Sequence, residues 1–86
     1  MAAPGGVFTC RVQRVGPADD GKIYINLKDE SGAFEHWVFA YEAQKREMLA
    51  TALTAISTGF SVSAALESTD EYTQIKRLYV VREGLS

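Results

Sequence analysis

Short stretches in which apolar and polar residues alternate make up the first half of the chain. Residues 7–15 and 22–28 each have a period of two, and their apolar positions include Phe8, Cys10, Val12, Ile23, Ile25 and Leu27. A period of two is typical of a half-buried β-strand. Residues 33–40 predict a third strand. Both of its faces carry large apolar residues, so the pattern does not show which face points inward. Turn residues at 19–21 and 29–32 separate the three strands.

The pattern changes to a helical period between residues 42 and 58. Apolar residues at positions i, i+3, i+4 and i+7 predict an amphipathic helix whose buried stripe is Leu49, Ala52, Leu53 and Ile56. Gly59 follows the last helical position and suits the left-handed conformation that ends many helices.

Two further strands are predicted after the helix, at residues 60–67 and 72–82. In the second of them the alternation breaks at Ile75, which indicates a β-bulge near Lys76-Arg77.

The predicted order of elements is therefore β-β-β-α-β-β. One helix between the third and fourth strands is the arrangement of the OB-fold, so we expect a mainly β, OB-fold-like five-stranded Greek-key barrel with the helix closing one end. A split sheet of three plus two strands, with the helix on one face, is the alternative. We expect residues 7–83 to form a single OB-like domain and the Gly-rich residues 1–6 to form a flexible N-terminus.

Composition excludes some function classes. The chain has 86 residues, enough for one domain, and its hydrophobic share of 47% is typical of a globular protein. Nine Lys and Arg against eleven Asp and Glu give a net charge of -2, which argues against binding of polyanions through bulk positive charge. No apolar run approaches the roughly 20 residues that span a membrane. Without a targeting pattern the sequence as written predicts a cytoplasmic protein, although a mature secreted chain would look the same.

Residues with catalytic or metal-binding chemistry are few. One cysteine, Cys10, excludes an internal disulfide, and with one histidine, His36, it leaves too few ligands for most transition-metal sites. We expect Cys10 to pack in the core; an intersubunit disulfide or a reactive thiol is the alternative. His36 has no nucleophile at strand spacing, which favours a packing or hydrogen-bonding role. The sequence therefore predicts a non-enzyme with no catalytic residue, no metal and no cofactor.

The candidate ligand-binding residues are Arg11, Tyr24, Lys28 and Trp37. An OB barrel presents the outer face of its second and third strands to ligands, and the alternation places Tyr24 and Lys28 there, with Arg11 on the neighbouring strand. Depending on which side of the third strand faces inward, either Trp37 or Phe34 with His36 joins them on the outer face. An aromatic residue flanked by cations suits a sugar ring, a protein interface or single-stranded nucleic acid. Tyrosines on a strand exterior are also ordinary strand formers, so an unliganded face is a further alternative.

The charges of the chain indicate which class of ligand this face is more suited to bind. Binding to nucleic acid depends on a basic groove, whereas here acidic pairs occupy the turns and the basic residues are spread over every element. We therefore expect protein or carbohydrate as the ligand, and single-stranded nucleic acid is the alternative.

The outward side of the predicted helix carries no charge over its last three turns. Ala50, Thr51, Thr54 and Ser57 are small and uncharged, whereas a solvated helix face normally carries Lys and Glu. Small side chains let another helix approach closely, so we expect these residues to form an interface in a homo-oligomer. A mildly polar, solvent-exposed face is the alternative.

Residues 48–64, MLATALTAISTGFSVSA, carry a family resemblance. An amphipathic helix that runs through Thr-Gly into an alternating strand resembles the B subunits of pentameric bacterial toxins, the pertussis-like and typhoid-like group, and related small bacterial proteins. The resemblance covers the C-terminal half of the chain and rests on the structural positions Leu49, Leu53, Ile56, Thr58, Gly59 and Val62. It implies an OB-fold, rings assembled through strand edges with helices lining the centre, and glycan binding without catalysis. No glycan-binding residue carries over.

Overall fold

The computed structural model describes residues 6–81 of the 86-residue chain. It contains five strands and one α-helix: β1 (Gly6–Pro17), β2 (Ile23–Asp29), β3 (Glu35–Phe39), α1 (Lys45–Thr58), β4 (Ser61–Leu66) and β5 (Ile75–Val81). A short 3-10 helix at Glu42–Gln44 leads into α1. The predicted order β-β-β-α-β-β is confirmed, and the described residues are mainly β.

The first strand is longer than its alternating pattern predicted. It begins at Gly6, which was assigned to the flexible N-terminus but pairs with Leu66 of β4. It continues to Pro17, which pairs with Ile23 across the first turn. Residues 1–5 of the predicted N-terminal segment, and residues 82–83 of the predicted domain, lie outside the described part of the chain.

All five strands belong to one sheet in the order β3-β2-β1-β4-β5, and neighbouring strands are antiparallel. The long strand β1 joins the two halves, because residues 10–17 pair with β2 while residues 6–10 pair with β4. The sheet is therefore continuous, and the split arrangement of three plus two strands is not the one observed.

The two outer strands of this sheet meet where β3 ends. Phe39 forms a parallel bridge with Gln74, just before β5, and its N–H donates to the carbonyl of Thr73 at 3.1 Å. One step earlier the N–H of Tyr72 donates to the carbonyl of Trp37 at 2.7 Å. These contacts curl the sheet into a barrel-like form and bring the β4–β5 loop (residues 67–74) against β3.

The interior of the curled sheet is mostly aliphatic. The largest fully buried side chains are Ile25, Leu27, Ile75, Val38, Val62 and Cys10. Val38 pairs with Ile25 and is fully buried, which settles the open parity of the third strand: Val38 faces the core, and Trp37 and Phe39 on the other parity face outward.

Cys10 lies in this core, as predicted. Its side chain is fully buried, and desolvation, reinforced by the negative charges of Asp29 and Glu30, raises the pKa of the thiol to about 12. The thiol is therefore protonated at neutral pH, and it lacks the thiolate character that a reactive cysteine needs.

Two β-bulges interrupt the ladders of the sheet. In β5, Ile75 and Arg77 pair with consecutive residues of β4, so Lys76 is the extra residue and the predicted bulge is confirmed. In β1, Val12 and Arg14 pair with consecutive residues of β2, so Gln13 is the extra residue. This second bulge was not predicted from the alternation of residues 7–15.

Helix α1 lies against the sheet on a stripe that shares Leu49 and Ala52 with the predicted one but is rotated away from its other two residues. Its buried residues are Met48, Ala52 and Ala55, whereas Leu53 and Ile56, expected in the core, are 48% and 42% exposed. The helix contacts mainly β1 and β5. Two alanines on the buried side allow a close approach to these strands, and this leaves the bulkier aliphatic residues on the flank of the helix.

The end of α1 follows the prediction closely. Gly59 has a φ of 75°, and its N–H donates to the carbonyl of Ala55 at 2.8 Å. A positive φ is strained for residues that have a Cβ atom, while a Cβ added at Gly59 would meet no atom within 4 Å. A side chain at this position would therefore lower the free energy of unfolding through backbone strain and not through a steric clash.

We expect Gly59→Ala to lower the free energy of unfolding by about 1–2 kcal/mol, because alanine resists the left-handed conformation. Gly59→Asn is the matched control, and its loss should be smaller because asparagine tolerates that conformation better. Urea denaturation of the three proteins measures both effects. Equal stability of the alanine variant and the parent protein would contradict this assignment.

Candidate ligand-binding site

The bulge in β1 directs Arg14 to the outer face of the sheet. In a regular strand Arg14 would share the inward parity of Val12. Because Gln13 is the extra residue, Val12 and Val15 both pack against the core, and Arg14 is exposed and pairs with Asn26. Bulges often redirect a side chain beside a functional site.

The next residues across the outer face are aromatic. Asn26 pairs with Trp37 on β3, and Tyr24, two residues earlier on β2, pairs with Phe39. The rings of Tyr24 and Phe39 meet edge to face with centroids 6.4 Å apart. Lys22 places its ammonium 4.5 Å from the centroid of Phe39, where cation–π attraction is favourable.

Tyr72 of the β4–β5 loop adds a fourth aromatic side chain to this face. Its ring lies 6.1 Å from that of Tyr24 at an interplanar angle of 89°. Tyr72 is the one non-glycine residue with positive φ among residues 6–81, at 63°. Its hydrogen bond to the carbonyl of Trp37 holds it in this conformation. The contacts that close the sheet thus also position this ring.

Tyr72 and its neighbours on β2 and β3 border an open cleft of about 550 Å³, which we call the aromatic pocket. Tyr24, Trp37 and Tyr72 line it together with residues 14–20, which include Arg14 and the first part of the β1–β2 loop. Its volume lies in the range of about 300–1,000 Å³ that is common for small-molecule sites.

Asp20 and Tyr24 share a hydrogen bond on one side of the aromatic pocket, and this bond shifts the pKa of both groups. The hydroxyl of Tyr24 donates to Asp20 Oδ2 at 2.7 Å, and the N–H of Lys22 donates to Asp20 Oδ1 at 3.0 Å. The bonds from Lys22 and Tyr24 hold the pKa of Asp20 below its ordinary value of 3.8, and the bond to Asp20 raises the pKa of Tyr24. The hydrogen bonds to the Asp20 carboxylate therefore stabilise the folded state above pH 3.8. This contribution to stability is lost as the pH falls through the lowered pKa of Asp20.

Two charged side chains that line the aromatic pocket are exposed to solvent. Within residues 6–81, the side chains of Arg14 and Asp19 make no hydrogen bond or ion pair. A guanidinium donates in a fixed planar fork and a carboxylate accepts, so the pair offers both hydrogen-bonding roles beside the aromatic rings.

The structure brings together two of the four predicted ligand-binding residues. Tyr24 and Trp37 both line the aromatic pocket. Lys28 is exposed further along β2, where it pairs with Arg11 on one side and Glu35 on the other, outside that pocket.

Arg11 interacts with the C-terminal end of α1. Its Nη1 donates to the carbonyl of Gly59 at 2.5 Å, and its Nε lies 3.4 Å from Glu30 Oε2. A cation is favourable at a helix C-terminus, where carbonyl groups lack partners in the helix. Arg11 therefore connects β1 to the helix end, away from the aromatic pocket.

Strict alternation missed Arg14, Asp20 and Tyr72. One signal for Arg14 was present in the sequence: Val12 and Val15 are three residues apart, a spacing at which two apolar residues share a strand face only across a bulge. No periodic signal marks Asp20 or Tyr72, because both lie in loops and approach the sheet through tertiary contacts.

His36 has a structural role on the inner face of β3. Its Nε2 donates to the carbonyl of Thr69 at 2.6 Å, and its ring stacks on Phe34 at 4.9 Å. Nδ1 is buried without a hydrogen-bond partner among residues 6–81. In the same part of the chain, no group of three or more His, Cys, Asp and Glu side chains could hold a metal ion.

The predicted interface residues of α1 satisfy their own polar groups. The hydroxyls of Thr51, Thr54 and Ser57 donate to the carbonyls four residues earlier, at 2.9, 3.0 and 2.8 Å. Ala50, Thr54 and Ser57 are exposed, whereas Thr51 is half-buried. This face therefore presents small side chains whose hydroxyl protons are already bonded.

No family model, curated protein or solved structure matches this chain. Among residues 6–81, no helix is both long enough and apolar enough to cross a bilayer.

We expect Asp20→Asn to lower the pKa of Tyr24 toward its ordinary value of 10.0, because a neutral amide no longer favours the protonated phenol. Asp19→Asn is the matched control and should have a smaller effect, since Asp19 makes no hydrogen bond to Tyr24. NMR titration of ring-labelled tyrosine measures both shifts. Equal shifts in the two variants would rule out the hydrogen bond as the main cause.

Proposed function

We propose that this chain is a small, non-catalytic, OB-fold-like binding module that holds a carbohydrate in the aromatic pocket. The observation that carries the proposal is the meeting of Tyr24, Trp37 and Tyr72 with Arg14 and Asp19 in one cavity. Aromatic rings pack against the C–H faces of a sugar ring, while guanidinium and carboxylate groups pair with its hydroxyls.

The position of the aromatic pocket supports this proposal. OB-type barrels bind oligosaccharides and oligonucleotides on the outer face of their second and third strands, between the loops that join strands one to two and four to five. Here the pocket lies on β2 and β3, between the β1–β2 loop and Tyr72 of the β4–β5 loop.

Charge favours carbohydrate over single-stranded nucleic acid. Asp19 and Asp20 both line the aromatic pocket, and Arg14 is its one cationic lining residue within the described chain. A site that tracks a phosphate backbone needs a positive groove, and two carboxylates at its edge oppose that binding. Sugar hydroxyls are uncharged and can pair with both signs.

We also propose that copies of this module associate through the outer side of α1. Leu53 and Ile56 are exposed beside the small residues Ala50, Thr54 and Ser57, so the last three turns offer apolar surface without charge. A chain of 86 residues buries a limited share of its surface on folding, and association adds to that burial.

Trp37 is the only tryptophan of the chain, so its fluorescence reports on the aromatic pocket directly. We expect a change on titration with members of a panel of neutral and sialylated oligosaccharides. Tyr72→Ala should weaken that binding about tenfold, because it removes one aromatic wall. Tyr79→Ala, an exposed tyrosine of β5 outside the aromatic pocket, is the matched control and should leave affinity unchanged.

Oligothymidylate forms a separate arm of the same titration. A response to oligothymidylate alone, weakening steeply with salt, would contradict the carbohydrate proposal and support the nucleic-acid alternative. A response to no oligosaccharide in the panel would also count against it.

Sedimentation velocity over a range of concentrations tests the association. We expect the parent protein to form an oligomer and Leu53→Glu to shift it to monomer, because a charge would be buried in the interface. Lys28→Glu, on the outer face of β2, serves as the control and should leave the oligomer intact. A parent protein that remains monomeric at every concentration would refute the proposed interface.

A further inference from the structure

A second cavity, of about 480 Å³, lies beside the aromatic pocket on the outer face of the sheet. Its lining residues are Gln13, Arg14, Asn26 and Glu35, and we call it the polar pocket. Arg14 lines both cavities, and Asn26 pairs with Trp37, so the two sites are neighbours across the sheet.

The bulge in β1 creates this arrangement. Gln13 and Arg14 are consecutive residues, yet both are exposed, while Val12 and Val15 on either side pack against the core. A regular strand would send one of the two polar side chains inward. Because of the bulge, Gln13 lines the polar pocket and Arg14 lines both pockets.

The polar groups of this cavity have unused hydrogen-bonding capacity. The side chains of Gln13, Asn26 and Glu35 make no hydrogen bond or ion pair with another residue in 6–81. Two amides donate and accept, the carboxylate accepts, and the guanidinium of Arg14 donates. One positive and one negative group balance, and the lining has no aromatic ring.

We propose that the ligand is an oligosaccharide of at least two sugar units, one in the aromatic pocket and the next in the polar pocket, with Arg14 at the junction. This inference rests on the proposed carbohydrate function. The first unit stacks on the aromatic side chains, whereas the second is held by its hydroxyls. Hydroxyl groups both donate and accept, which matches the mixed set of amides, carboxylate and guanidinium.

The test compares ligands of increasing length by Trp37 fluorescence: glucose, maltose and maltotriose, and N-acetylglucosamine with its dimer and trimer. We expect at least one series to gain about tenfold in affinity from one unit to two, as the second unit adds hydrogen bonds. Gln13→Ala and, separately, Glu35→Gln should each reduce that gain about threefold. Gln44→Ala, a glutamine at the exposed start of the helical segment, is the matched control and should leave the gain unchanged.

The outcomes separate this inference from the function on which it rests. Equal affinity for one and two units, or a gain that survives both Gln13→Ala and Glu35→Gln, would overturn the two-unit site while leaving carbohydrate binding in place. Absence of a fluorescence response to every sugar in both series and in the oligosaccharide panel would overturn the proposed function itself.

Discussion

Closure of the sheet between β3 and the β4–β5 loop is the constraint on which the rest of the structure depends. The N–H groups of Tyr72 and Phe39 donate to carbonyls on opposite sides of this junction. Holding a tyrosine in a left-handed conformation costs of the order of 1–3 kcal/mol, and it persists because the surrounding contacts determine it. The same bonds give backbone partners to the end of β3, an edge strand of the sheet, and place an aromatic ring beside Tyr24 on the face of β2.

Two local departures from regular structure therefore converge on one surface. The bulge at Gln13 turns Arg14 outward, and the closing loop contributes Tyr72. Tyr24 and Trp37 occupy regular outward positions between them. The inner face of the sheet meanwhile carries the hydrophobic core, so buried side chains support the geometry of the outer face.

The periodicity of the sequence predicted where the strands and the helix lie more accurately than it predicted which residues contact each other. Alternation and helical spacing located the five strands and α1, the φ of Gly59 followed from its place after a helix, and a break in parity located the bulge at Lys76. The buried side of α1 was predicted only in part: Ala52 is buried as expected, whereas Leu53 and Ile56 are exposed because the helix approaches the sheet closely through its alanines. Arg11 and Tyr72 have partners 48 and 35 residues away, a distance that no local period encodes.

Amide hydrogen exchange at Tyr72 and Phe39, followed by NMR, tests most directly whether closure of the sheet builds the aromatic pocket. Both N–H groups should exchange as slowly as the paired amides within β2, because each donates to a backbone carbonyl across the junction. Exchange as fast as that of Asp19, an exposed residue of the β1–β2 turn, would show that the sheet is open in solution, and the pocket would then lose the wall that Tyr72 provides.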